Sequence, residues 1–233
     1  MRRPCVLALA AIALLPLHAW AQAAPRLGTV TRLTGRAMVS RAAQGETIPL
    51  KFKDAIFDRD RVTTAEKSTA RVLLEGKALL TVRELSSLTI TDRTGHASVN
   101  LVSGKAALSV MRQRMRADET VDIRTTNARV SVGGSIVIEM LKAANPVISA
   151  VHVLRGPVEI TTGGSVLVLG SRQSVRITDS VIGPLVALGD GDVERLVADL
   201  RDEQHQHTDP SSDFTDGMAE RHQADLAAPH RGR

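Results

Sequence analysis

The sequence predicts an all-β protein: an irregular β-helix or β-roll of short stacked strands, closed by one amphipathic helix near the C-terminus, with a two-sheet β-sandwich as the alternative. Three observations carry that reading. First, the phrase apolar-x-Gly-x-apolar-x-apolar occurs five times, at Leu33–Val39, Leu74–Leu80, Val102–Leu108, Val132–Ile138 and Leu154–Ile160. Apolar positions two or four residues apart fall on one side of an extended chain, and the glycine suits a bulge, a tight bend or close approach by a neighbouring strand. Second, no helical period appears between residues 22 and 189. Third, aromatic residues make up only 2% of the 233 residues against 43% hydrophobic residues, so the core has to be built from Val, Leu, Ile and Ala.

The elements follow in order. Arg2 and Arg3, the short apolar stretch Val6–Leu17 and the small-x-small site Ala19-Trp20-Ala21 read as a signal peptide over residues 1–21, cleaved after Ala21. Pro16 and His18 interrupt a run already shorter than the ~20 residues a membrane span needs. Cys5, the sole cysteine, lies in that segment, so the mature chain has no thiol for a disulfide or a cysteine-based metal site.

Leu27–Arg41 reads as an opening strand pair, with a turn at Gln44-Gly45-Glu46 and with Phe52 and Phe57 expected to anchor the start of the core. Strands follow over Val62–Leu74, Leu79–Val82 and Leu88–Thr91, then a turn at Asp92–Gly95 and further strands to Ile177. The repeat glycines, 35, 76, 104, 134 and 156, are unevenly spaced, which favours an irregular stack over a strict solenoid. From Asp190 the period changes. Val193, Leu196, Val197 and Leu200 lie at i, i+3, i+4 and i+7, giving an amphipathic helix over 190–204 expected to cover an open end of the stack. Residues 205–233, polar and broken by Pro210, Gly217 and Pro229, read as a disordered acidic, His-containing tail.

Charge is unevenly distributed. Residues 199–233 carry eight acidic side chains against four Arg, whereas residues 22–198 carry twenty-four basic against seventeen acidic, a net of +7. Such a body can face an anionic surface. The run Arg112, Arg114 and Arg116 shares one parity, so an extended backbone would align three guanidinium groups for a phosphate or carboxylate; a charged edge that discourages strand pairing is the plainer reading. Nucleic acid is not an expected partner. Base stacking on aromatic side chains is worth ~1–3 kcal/mol per base, and the mature body would hold neither Trp nor Tyr.

No catalytic set emerges. His152 shares parity with Leu154 and is expected to point inward, while His96 sits beside a turn, so no Ser/His/Asp arrangement forms. Gly133-Gly134-Ser135 and Gly163-Gly164-Ser165 lack the Lys and helix of a phosphate loop. In the tail, His205, His207, His222 and His230 form no preorganised metal site. No enzyme activity, cofactor or metal is expected.

Val62-Thr63-Thr64 followed by Ser68-Thr69-Ala70-Arg71-Val72-Leu73-Leu74-Glu75-Gly76 resembles a FecR-like domain. The resemblance continues through Val102–Ala106, Thr125-Thr126-Asn127-Ala128-Arg129-Val130 leading to Gly134-Ser135, and Val151–Val158, about residues 28–178 in all. The chain departs from the pattern at Glu75 and Lys77, where the family often shows Asp and a small polar residue, and at Ile136, where an aromatic is common. The resemblance implies a FecR-like domain over residues 22–189 and a non-enzymatic role in envelope signalling, as an adaptor or in assembly. The expected partners are envelope proteins, with an anionic envelope polymer as the alternative. Members that regulate sigma factors have a cytoplasmic segment and a membrane span ahead of this domain. Here a signal peptide stands in their place, so the expected location is the periplasm, or alternatively outside the cell, with no transmembrane span after cleavage.

Overall fold

A computed structural model describes residues 25–92 and 96–201; the signal-peptide and tail expectations, with most of the turn at 92–95, lie outside the described residues. In chain order the strands are β1 (Arg26–Thr34), β2 (Ala37–Arg41), β3 (Glu46–Pro49), β4 (Ala55–Phe57), β5 (Arg61–Thr64), β6 (Thr69–Leu74), β7 (Ala78–Val82), β8 (Ser87–Asp92) and β9 (His96–Val110). After a 3₁₀ turn at Arg112–Arg114 come β10 (Thr120–Arg124), β11 (Arg129–Val132), β12 (Ser135–Lys142), β13 (Ile148–Arg155), β14 (Val158–Thr162), β15 (Ser165–Leu169), β16 (Gln173–Thr178), β17 (Val181–Ile182) and β18 (Val186–Ala187). The helix α1 spans Asp190–Arg201. The all-β class with one helix near the C-terminus is as the sequence predicts.

Two sheets share one core. One sheet runs β4-β1-β6-β7-β9-β12-β13-β16, with β17 and β18 side by side on its last edge. The other runs β3-β2-β5-β8-β9-β10-β11-β14-β15. In both, strand order climbs almost in chain order, as in a roll, and the hydrogen bonding is antiparallel except between β9 and β10. Val72, Leu80, Leu108 and Ile138 of the first sheet and Val62, Leu88, Ile123 and Ile160 of the second meet in a single cluster with no aromatic ring.

Strand β9 belongs to both sheets. Its first half pairs with β8 and β10, its second half with β7 and β12. The crossing falls at Gly104, whose φ is +83°, and a β-carbon there would lie 2.6 Å from the Cα of Ser86. Only glycine fits. A parallel neighbour requires a crossover, and residues 111–119 provide it by returning the chain to β10.

The repeated phrase therefore marks corners. Gly35, Gly104, Gly134 and Gly156 stand where the chain passes from one sheet to the other, and Gly76 turns β6 into β7. Gly134 and Gly156 meet backbone to backbone, each so placed that a β-carbon would lie 3.0 Å from the other's Cα. Two corners are braced by serine. The Arg36 N–H donates to Ser68 Oγ at 2.9 Å while Ser68 donates to the Glu66 carbonyl, and the Lys105 N–H donates to Ser86 Oγ at 2.9 Å while Ser86 donates to the Glu84 carbonyl. Both serines follow a residue with positive φ, Lys67 and Leu85.

Bending at the corners shifts which parity is buried. Val99 and Leu101 point inward before Gly104, Ala106 and Leu108 after it; Val151 and Val153 point inward before Gly156, Val158 and Ile160 after it. Val102 and Leu154 consequently lie off the core face, contrary to a single buried side for every copy. The aromatic anchors also differ from expectation. Phe52 is 60% exposed beneath Lys53, and half-buried Phe57 carries the Arg41 guanidinium 5.2 Å from its ring centre. Leu27, Val30, Leu50 and Ile56 fill the start of the core instead.

Candidate interaction surface

The crossover carries the arginines singled out in the sequence. Arg112–Arg114 form a 3₁₀ turn, so the extended row of guanidinium groups is not formed. The cause is local pinning. Lys77 Nζ reaches Glu119 Oε1 at 2.7 Å and Glu75 Oε2 at 3.2 Å, Glu119 Oε2 accepts the Arg116 N–H, and Met115 packs against the core cluster. The hydrogen bond from Lys77 holds the Glu119 carboxyl below its ordinary pKa, and the same bond raises that of Lys77. Arg112 reaches the Glu119 carbonyl, Arg114 the Gly76 carbonyl, and Arg116 pairs with Asp118. All three side chains stay exposed. Arg112 also borders a groove of about 250 Å³ with Ser131, Pro157, Glu159 and Val168.

His152 does not point inward. Val151 and Val153 take the core positions of β13, so His152 faces out from the sheet and donates to or accepts from its direct cross-strand neighbour Ser174, Nδ1 to Oγ 2.8 Å. The residues after β17 fold over it. Pro184, Val186, Leu188 and Asp192 wall a groove of about 430 Å³ whose floor holds Ala150, His152 and Ser174, with Arg176 at its side. Burial pushes the imidazole below its ordinary pKa despite the nearby Glu139 carboxylate. The Ser–His contact is what the register of two adjacent strands demands, and it ties β13 to β16. His96, exposed, has Nδ1 3.0 Å from Thr120 Oγ1.

Asn127, quoted above only as part of a resemblance, is a structural hub. Its amide donates to the carbonyls of Val147 and Ile177, and its Oδ1 accepts from Thr125 and Ser149. Asp122, almost fully buried, accepts from Arg129 Nε at 2.8 Å and Ser131 Oγ at 2.7 Å. Neither role has a signal in hydrophobic pattern. The paired Glu-x-Ser phrases at 66–68 and 84–86 do repeat in the sequence and mark the braced corners.

At the end of the roll, β17 and β18 cover the edge of β16, a task expected of the helix. The helix begins just beyond, tied back by an ion pair between Arg172 and Asp190 at 2.7 Å, and keeps Val193, Leu196 and Val197 half-buried. The second sheet ends on β15, which pairs only with β14 among the described residues. Gly133-Gly134-Ser135 and Gly163-Gly164-Ser165 are the turns leading into β12 and β15. Among the described residues no helix is long and apolar enough to cross a membrane.

Polar side chains are thus spent on the corners and cross-strand ties of an all-β scaffold. Residues 60–159, from the approach to β5 into β14, match the family described as FecR protein. Two crystal structures described as a "putative anti-sigma factor" from Parabacteroides distasonis ATCC 8503 share the fold. Each is 21% identical with a TM-score of 0.51, covers 60% of this chain, and is itself covered over 63% and 64% of its length, respectively. This chain thus spans less than two thirds of those chains. No curated protein matches it.

Proposed function

We propose that the chain is exported by its leader, resides in the periplasm, and works without catalysis as an envelope signalling regulator that recognises another protein. The FecR match over residues 60–159 carries this reading; the anti-sigma description of the structural neighbours is in keeping with it. The FecR body offers exposed strand edges, and β-addition to such an edge needs only free backbone groups. Photocrosslinking from an exposed position such as Arg114 or Leu85 in cells tests it: one discrete envelope protein is the expected adduct, and a clean absence of adducts from both positions overturns the reading. Export has its own test. Cleavage after Ala21 removes Trp20, the sole Trp of a chain without Tyr, so the mature protein is nearly transparent at 280 nm, and retained indole absorbance refutes cleavage.

The exposure of Arg112, Arg114 and Arg116 together on one crossover favours a second reading, contact with an anionic envelope polymer. Such binding falls steeply with salt, whereas an apolar or backbone-paired protein contact persists.

A further inference from the structure

We infer that β15 is a self-pairing edge, at which two copies of this chain join antiparallel about a two-fold axis to make one continuous sheet. The inference goes beyond the envelope partner proposed above and does not depend on it.

The contrast among the sheet ends motivates it. Proteins blunt free edges with short strands, charge, proline or a covering segment. The β16 edge is covered by β17 and β18. At the far end, β4 has three residues, and β3 has four, with Glu46 and Pro49 at its ends. Among the described residues β15 has none of these protections. It is Ser-Val-Leu-Val-Leu, uncharged, without proline, in unbroken register with β14, and its outward Val166 and Val168 are 61% and 62% exposed.

Self-pairing suits this sequence. An antiparallel pair centred on Leu167 sets Val166 against Val168 of the second copy on the outer face and Leu167 against its own counterpart on the inner face. β-Branched cross-strand pairs of this kind stabilise sheets, and no charge on the strand opposes its copy.

The test is a charge swap read by the mass of the purified protein in sedimentation across a dilution series. The wild type is expected to reach twice its monomer mass. V166K/V168K, changed only at exposed positions and checked for an unaltered circular dichroism spectrum, is expected to dissociate at least about tenfold more readily, since like charges then face each other across the axis. V166K/V168E is expected to restore the dimer, because the lysine introduced at position 166 then meets the glutamate introduced at position 168 of the other copy. A monomeric wild type, a dimer indifferent to V166K/V168K, or a V166K/V168E variant as monomeric as V166K/V168K would each overturn the proposal, and a monomeric wild type would leave the edge open for another protein's strand.

Discussion

Replacing Gly104 and Gly76 each by alanine separates corner packing from backbone strain, because the two glycines share a left-handed conformation, with φ of +83° and +71°, but not their surroundings. A β-carbon at Gly76 has nothing within 4 Å, whereas at Gly104 it runs into the Ser86 hydroxyl and lies 2.6 Å from that residue's Cα and 2.7 Å from its Cβ. The strain of placing an L side chain in this region is roughly 1–2 kcal/mol for both. Gly104→Ala adds the cost of forcing a packed backbone apart, about 1–3 kcal/mol, and the loss of the Ser86 tie to Lys105, about 1 kcal/mol. The expected losses are therefore about 1–2 kcal/mol for Gly76→Ala and about 3–6 kcal/mol for Gly104→Ala. With roughly 2–4 °C lost per kcal/mol for a chain of this size, the second variant melts at least about 6 °C below the wild type. Urea unfolding followed by far-ultraviolet circular dichroism measures both. Gly104→Ala combined with Ser86→Gly should recover only part of the loss, since the Ser86 Cα clash remains. Equal destabilisation by the two single variants would refute the assignment of Gly104 as the packed corner between sheets.

Asn127→Ala removes four hydrogen bonds at once and leaves the Val147 and Ile177 carbonyls without that donor, so a loss of about 2–4 kcal/mol is expected in the same assay; a loss under about 1 kcal/mol contradicts the hub. Asp122→Ala strips Arg129 and Ser131 of their acceptor and should cost about 2 kcal/mol, less than a fully buried pair because Arg129 is half exposed. His152 gives a pH signature. Its folded pKa is depressed below the ordinary 6.5 by burial among Ser174, Glu139, Lys105, Arg176 and Asp192, so its share of stability is present above the ordinary value and is lost as pH falls through the folded one. Unfolding midpoints measured from about pH 8 to about pH 5 should fall more steeply for the wild type than for His152→Gln, which keeps a partner for Ser174; parallel curves would remove His152 from the account.

Most of the scaffold was legible because burial leaves a period in the chain. The alternation in β5 to β7 and β11 to β14 reads directly as strands, and the glycine of each repeat reads as a bend. What pattern could not show is which way the chain turns at that bend. A corner at Gly104 or Gly156 changes the buried parity, so alternation alone puts Val102, Leu154 and with them His152 on the wrong face. The arginine row failed for a related reason. Parity presumes extension, but Met115 seeks the core, and Glu119 captures both the nearby Arg116 N–H and Lys77, which is distant in the chain. Phe52 shows the same limit, since a large apolar ring is no guide to depth on a loop between two short strands. That β15 is the bare edge depends on where β17 and β18 fold back, which only the assembled chain decides.

Because β9 is shared, the domain has no seam along which it can be divided. Cutting the chain on either side of Gly104 strips each sheet of its middle member, so an isolated N-terminal or C-terminal half is left with two unfinished layers. Mechanical load applied across the layers is shared by the covalent chain at Gly104 and at the corners Gly35, Gly134 and Gly156, of which only Gly104 lies inside a strand.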